Sequence, residues 1–318
     1  MSVRDAIRRR VRARLLALLQ NDIRATVDEE LEARPAAVPT VPAADLDSRT
    51  IAARAIPRAR TGALLTVPGM GPPQEELPVP PRDLWAVHDD YLAFGQRDSS
   101  TLRHLCGVHG LAVEGPLRIL DFGCGTGRVL RHLVDITAAG GEVWGADLES
   151  DRIDWCRSNL SPPFRFLTLN TAPHLPFEDD YFDLIIGGSV FTHITDQDDS
   201  WLLELRRATR PGGLLYLSVM DDDLISKVQS EPGPTPYRDW FASEVVTEHD
   251  LDAAFAAGAQ ALAAGAGMFT IGDDSIIPNV FHSRAYLRAH WGSVLEWLDI
   301  VEEAWFKQAV VVLRKPTR

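Results

Sequence analysis

The stretch Leu117 to Leu130, LRILDFGCGTGRVL, constrains this chain more than any other. An aliphatic run ends in Asp121 and then bends through Gly123, Gly125 and Gly127. A short aliphatic run of this kind reads as a buried strand, and the pattern from Arg128 to Val134 reads as a helix. Three glycines leave almost no side chain at the bend. Backbone can therefore approach a ligand closely, with N–H groups at the head of the helix facing it.

The glycine spacing decides which ligand class to consider. A dinucleotide site requires G-x-G-x-x-G with an acid about 20 positions on, whereas the glycines here run G-x-G-x-G. The next suitable acid, Asp147, closes a second short apolar strand, Glu142 to Asp147. The spacing argues against NAD. A third strand is predicted from Phe164 to Asn170, followed by NTAPHLPFEDDYFDLIIGG, and a fourth from Phe182 to Gly188, ending in GGSVFTHI. An amphipathic helix, Ser200 to Thr209, carries Leu202, Leu205 and Ala208 on one face. Arg210-Pro211-Gly212-Gly213 stops it before the strand LLYLSV.

These ordered motifs resemble the class I S-adenosylmethionine-dependent methyltransferases from about Leu117 to Met220. A looser match runs from Asn279 to the end, where NVFHSRAYLRAHWG and QAVVVLRKP look like the last helix and the two closing strands. The resemblance implies an α/β, Rossmann-like fold with a seven-stranded, mostly parallel sheet and an antiparallel last strand. It implies that S-adenosyl-L-methionine is the cofactor and S-adenosyl-L-homocysteine the product. Asp121, Gly123, Gly125 and Gly127 would cradle the methionine end. Asp147 would accept from both ribose hydroxyls, Leu148 would offer an apolar face to adenine, and Asn170 would read the adenine edge. Ser189 would lie beside the cofactor after the fourth strand. Many relatives carry Asp near position 170, so the amide is a departure, and Thr171 is the neighbouring choice for that role.

Bulk properties narrow the acceptor. The formal net charge of -13 argues against a broad nucleic-acid footprint, which needs clustered Lys and Arg. A small-molecule acceptor is favoured. The three cysteines, Cys106, Cys124 and Cys156, match neither a zinc pattern nor a disulfide framework, so no metal is predicted and a cytoplasmic setting is expected. No apolar run reaches the roughly 18 residues that span a bilayer, so stable membrane insertion is not expected.

Residues 1–34 read as an amphipathic helix, basic at its start and acidic at its end. That gradient opposes the helix dipole, so the helix is expected to pack on its own domain or to join copies into a homo-oligomer. Residues 35–82 read as a proline-rich linker and 83–318 as the methyltransferase domain. Within it, 83–116 are expected to form cap helices, with Trp85, His88 and Tyr91 either packing an added helix on the core, the favoured reading, or lining the mouth. The stretch 221–278 is expected to be an insertion that sets acceptor specificity. It includes Thr247 to Asp250, a capping-box-like start to an alanine-rich helix. Asp221, Asp222 and Asp223 read as a solvated acidic turn.

A sulfonium methyl is already activated, so alignment of the acceptor and exclusion of water carry most of the rate. A hydroxyl acceptor would add a need for a base, and His193 in SVFTHI and His282 in VFHS are the catalytic candidates. The leading expectation is O-methylation of a sugar or secondary-metabolite hydroxyl. N-methylation of a small amine is the near alternative, and a non-catalytic scaffold with the same fold is the alternative from another class.

Overall fold

The computed structural model describes residues 77–85, 90–230, 251–271 and 278–317. The expected N-terminal helix, most of the linker, His88 and the segment Thr247 to Asp250 lie outside them.

Strand formation follows the apolar runs. β1 (Arg118–Phe122), β2 (Glu142–Asp147), β3 (Arg165–Thr168), β4 (Phe182–Gly187) and β5 (Thr209–Asp221) pair in the order β3-β2-β1-β4-β5, all parallel. β9 (Gln308–Arg314) adds antiparallel to β5, with Leu214 opposite Arg314 and Val219 opposite Ala309, and β8 (Glu296–Trp305) pairs outside it. This is the seven-stranded sheet with its antiparallel last strand. Among the described residues there are nine strands rather than seven. β6 (Met268–Ile271) and β7 (Asn279–His282) form an antiparallel hairpin, and β7 joins the far end of the long β5 at Met220 and Asp221. Asn279 to His282, expected as the lead-in to the last helix, is thus itself a strand.

Alternating side chains divide between two cores, as a sheet covered on both faces requires. Ile119, Leu184, Ile186, Leu214 and Val310 face one layer, with α1 (Tyr91–Val108), α2 (Val134–Ala138) and α3 (Ser150–Asn159) contributing Leu102, Ile136 and Ile153. Leu120, Ile185, Leu215 and Val311 face the other. There α4 (Asp198–Ala208) supplies Trp201, Leu202 and Leu205, and α7 (Arg284–Val294) supplies Leu287 and Trp291. A third, smaller core lies in the inserted region. Leu224, Ile225 and Val228 of α5 (Asp222–Ser230) meet Phe255 of α6 (Leu251–Ala263), Ile271 and Phe281.

Two local expectations change. The helix predicted from Arg128 begins late, because the turn runs on before a 3-10 turn at Leu130–Leu133 and then α2. The expected acidic turn is no solvated loop: Asp221 is buried, and Asp222 and Asp223 open α5. Asp221 accepts from the Leu224 N–H at 3.1 Å and from Arg284 Nε at 2.6 Å, so an arginine from α7 compensates its burial.

Candidate functional site

The strand order reverses between β1 and β4, and open α/β sheets hold ligands outside the carboxyl ends of strands at such a point. The glycine turn leaves β1 there and the segment Gly188 to His193 leaves β4. The two meet directly, since a Cβ on Gly123 would run into Val190 Cγ2.

The three glycines do different things. All have positive φ, at +80° for Gly123, +54° for Gly125 and +76° for Gly127, where an L side chain is strained. Gly127 is also a packing position, because a Cβ there would meet Leu160 Cδ1 at 2.8 Å. Gly125 alone is open: the nearest atom to its would-be Cβ is Arg152 Nη1 at 4.0 Å. Bare backbone is therefore presented at Gly125.

Beside it stands Asp147, half-buried at the end of β2. Its Oδ2 accepts from the Gly125 N–H at 2.7 Å, and its Oδ1 accepts from the Glu149 N–H at 2.9 Å. Each carboxylate oxygen retains lone pairs for further donors, so the group is aimed and still able to accept hydroxyls. Leu148 is 52% exposed, which leaves its side chain as an apolar surface next to that carboxylate. Asn170 is exposed, and its Oδ1 takes the Ala172 N–H at 2.9 Å, so its amide nitrogen is the end turned outward.

Asp121 is buried, and desolvation pushes its carboxyl up to about 7, countered in part by the charge of Arg128 and a hydrogen bond from the Leu130 backbone. Arg128 is held from outside the turn. Its Nη1 meets Asp98 Oδ2 of α1 at 2.6 Å, and its guanidinium lies 5.4 Å from the Trp305 ring centroid. Tyr91, at the head of α1, is buried, and its hydroxyl donates to the Thr126 carbonyl at 2.9 Å within the glycine turn. Trp85 packs on Tyr91 with ring centroids 5.3 Å apart. Tyr91 thus braces the turn, in line with packing on the core rather than lining a mouth. Cys124 and Cys156 both point at the Gly125 carbonyl, at 3.5 and 3.6 Å, and burial pushes both thiols up. Neither is a nucleophile at neutral pH.

On the β4 side, Ser189 has φ +55°, an uncommon conformation for a residue with a side chain. Its N–H donates to Ser218 Oγ at 2.6 Å. Gly188 is needed because a Cβ there would fall inside the Trp305 ring.

The two histidines are placed differently. His193 is exposed, and its Nδ1 lies 2.9 Å from the Pro278 carbonyl oxygen. A carbonyl oxygen only accepts, so Nδ1 is the donor in this contact. His282 is wholly buried at the end of β7, beside Tyr286 and Trp291 with ring centroids 6.4 and 6.1 Å away. Neither of its nitrogens has a well-formed hydrogen bond, a distorted contact to the Met220 backbone giving the charged ring slight support. Burial therefore pulls it down to about 4, and the Asp198 charge offsets only part of this.

Sequence reasoning did not find Arg128 with Asp98, Trp305, Ser218 or Gln308. Each acts through a partner distant in the chain, which the local patterns holding Arg128, Ser218 and Gln308 do not reveal.

Residues 119–213 match the family described as a methyltransferase domain. The matched stretch runs from β1 through the glycine turn and β4 into β5. The chain is similar to a ubiquinone/menaquinone biosynthesis C-methyltransferase of Bordetella avium, 30% identical over 136 residues, covering 42% of this chain and 50% of the relative. It is also similar to a malonyl-[acyl-carrier protein] O-methyltransferase of Geobacter sulfurreducens, 29% identical over 146 residues, covering 46% and 53%. The chain spans about half the length of these curated relatives. Among solved structures, a protein of Pyrococcus horikoshii superposes with a TM-score of 0.46 at 17% identity, covering 70% of this chain and 91% of that one.

Proposed function

We propose that this chain is an S-adenosylmethionine-dependent methyltransferase acting on a small-molecule acceptor, with transfer to a hydroxyl oxygen of a sugar or secondary metabolite. One observation carries the reading: an open, positive-φ backbone at Gly125 lies directly beside the aimed carboxylate of Asp147. That pairing suits a ligand with a ribose diol at one end and a charged amino-acid group at the other. The residues fit S-adenosylmethionine, with Asp147 on the ribose, Leu148 and Asn170 on adenine, and the turn from Asp121 to Gly127 at the methionine end.

When bound, the cofactor supplies an activated methyl group. The protein's own share is alignment and dryness. Tyr91 and the Asp98–Arg128 pair brace the turn, and the Gly188 to Val190 segment walls it. A hydroxyl acceptor must also lose a proton, and exposed His193 is the side chain we assign to take it. His282 is wholly buried, so it takes no part in the proposed proton transfer.

The test is to incubate the protein with methyl-labelled cofactor and small-molecule extracts and to look for labelled products by mass. A labelled metabolite that disappears when Asp147 is changed to Ala supports the reading; no labelled product from intact, cofactor-binding protein favours the scaffold alternative. A single-turnover comparison of His193→Ala with wild type then separates a base from proximity alone. An unchanged pH profile removes His193 from proton transfer.

A further inference from the structure

Three polar side chains meet just beyond the end of β4, near the end of β5 and at the start of β9. Ser189 donates its N–H to Ser218 Oγ at 2.6 Å, and Ser218 passes its own proton to Gln308 Oε1 at 2.6 Å. The Ser189 hydroxyl donates to the same Gln308 oxygen at 3.1 Å. Ser218 is 0% and Gln308 4% exposed, so this closed set of bonds forms away from water, where leaving any member unpaired is costly.

The arrangement terminates on a strained residue. Ser189 sits at φ +55°, a conformation that disfavours a non-glycine residue by about tenfold. Such a residue persists only when its surroundings over-determine it, and here two hydrogen bonds do so. The next residue, Val190, fills the space that a side chain on Gly123 would need. The chain of contact therefore runs from Gln308 and Ser218, through Ser189 and Val190, to the turn itself.

We propose that Gln308 and Ser218 are positioning residues: they hold Ser189 in its left-handed conformation and so set the Val190 wall against the cofactor turn. The cofactor part of this inference rests on the function proposed above. A packing role and a positioning role make different predictions when the strain is removed. Glycine adopts positive φ freely, so a chain with Ser189→Gly no longer needs holding.

The experiment is a double-mutant comparison on the full chain, with S-adenosylhomocysteine affinity by calorimetric titration and thermal unfolding as separate readouts. Gln308→Met keeps the length and removes the carbonyl. It is expected to weaken S-adenosylhomocysteine about tenfold with Ser189 present, and by less than about threefold in the Ser189→Gly background. Equal losses in both backgrounds, or no loss in either, overturn the proposal. If Gln308→Met does not fold, Ser218→Ala carries the same comparison. A wild-type protein that binds no S-adenosylhomocysteine refutes the functional reading alone. The relay is then judged by Tm: the drop caused by Gln308→Met must shrink in the Ser189→Gly background, and equal drops overturn it.

Discussion

Acidification should destabilise this protein through His282 by an amount the structure sets. The ring is wholly buried, and its pKa falls from 6.5 to about 4. A histidine depressed on folding binds fewer protons in the folded than in the unfolded state. The neutral ring is therefore tolerated above pH 6.5, and stability is lost as pH falls below that value toward 4. Each pKa unit is worth about 1.4 kcal/mol, so the complete loss is about 3 kcal/mol, of which about 1 kcal/mol appears between pH 7.5 and 5.5. Staying at 5.5 keeps the protein above its isoelectric point near 5.1. Asp121 runs the other way. Its carboxyl is raised from 3.8 to about 7, so the folded state binds more protons and acid relieves the cost of its burial. The His282 contribution must therefore be read as a difference. Urea unfolding of wild type and His282→Phe at both pH values, followed by tryptophan fluorescence, isolates it: wild type should lose about 1 kcal/mol relative to the variant on going to pH 5.5. Parallel pH dependences would refute the reasoning and mean that the ring titrates as if solvated.

Other substitutions test the packing. Gly188→Ala would place a methyl inside the Trp305 ring and should cost about 1–3 kcal/mol in chemical unfolding, the scale of overpacking; a neutral result would mean that Trp305 is not seated there. Gly95→Ala, in the middle of α1, would ordinarily stabilise a helix by about 0.5–1 kcal/mol. A Cβ there would instead collide with the Arg128 carbonyl, so the sign should reverse and Tm should fall. Asp98→Asn removes the negative partner of Arg128 and should lower Tm, whereas an unchanged Tm would show that the 2.6 Å ion pair contributes nothing net.

What could be read from the sequence were features with short-range causes. β1, β2 and β4 announce themselves as aliphatic runs, and the turn after β1 announces itself through glycines whose positive φ no other residue adopts readily. The carboxylate at the end of β2 follows from its place at a strand end. What could not be read depends on partners brought together only by folding. Asp221 looks like part of a solvated acidic turn until Arg284, 63 residues away, arrives beside it. Gly188 looks like bare backbone for a ligand, yet it is glycine because Trp305 from β8 occupies its side-chain space. Tyr91 looks like an aromatic that packs on the core, yet no local pattern shows that its hydroxyl is spent on Thr126, 35 residues on. β6 and β7 pair four residues on four across the end of the inserted region, too short for their alternation to stand out.

The account depends most on Gly125 and Asp147 together gripping an S-adenosyl group, and calorimetric titration of S-adenosylmethionine into wild type and Asp147→Ala tests it most directly. A saturable single site in wild type, weakened by about 1–3 kcal/mol in a folded Asp147→Ala protein, is the predicted result. No binding by folded wild-type protein, or identical affinity in the two, would contradict it.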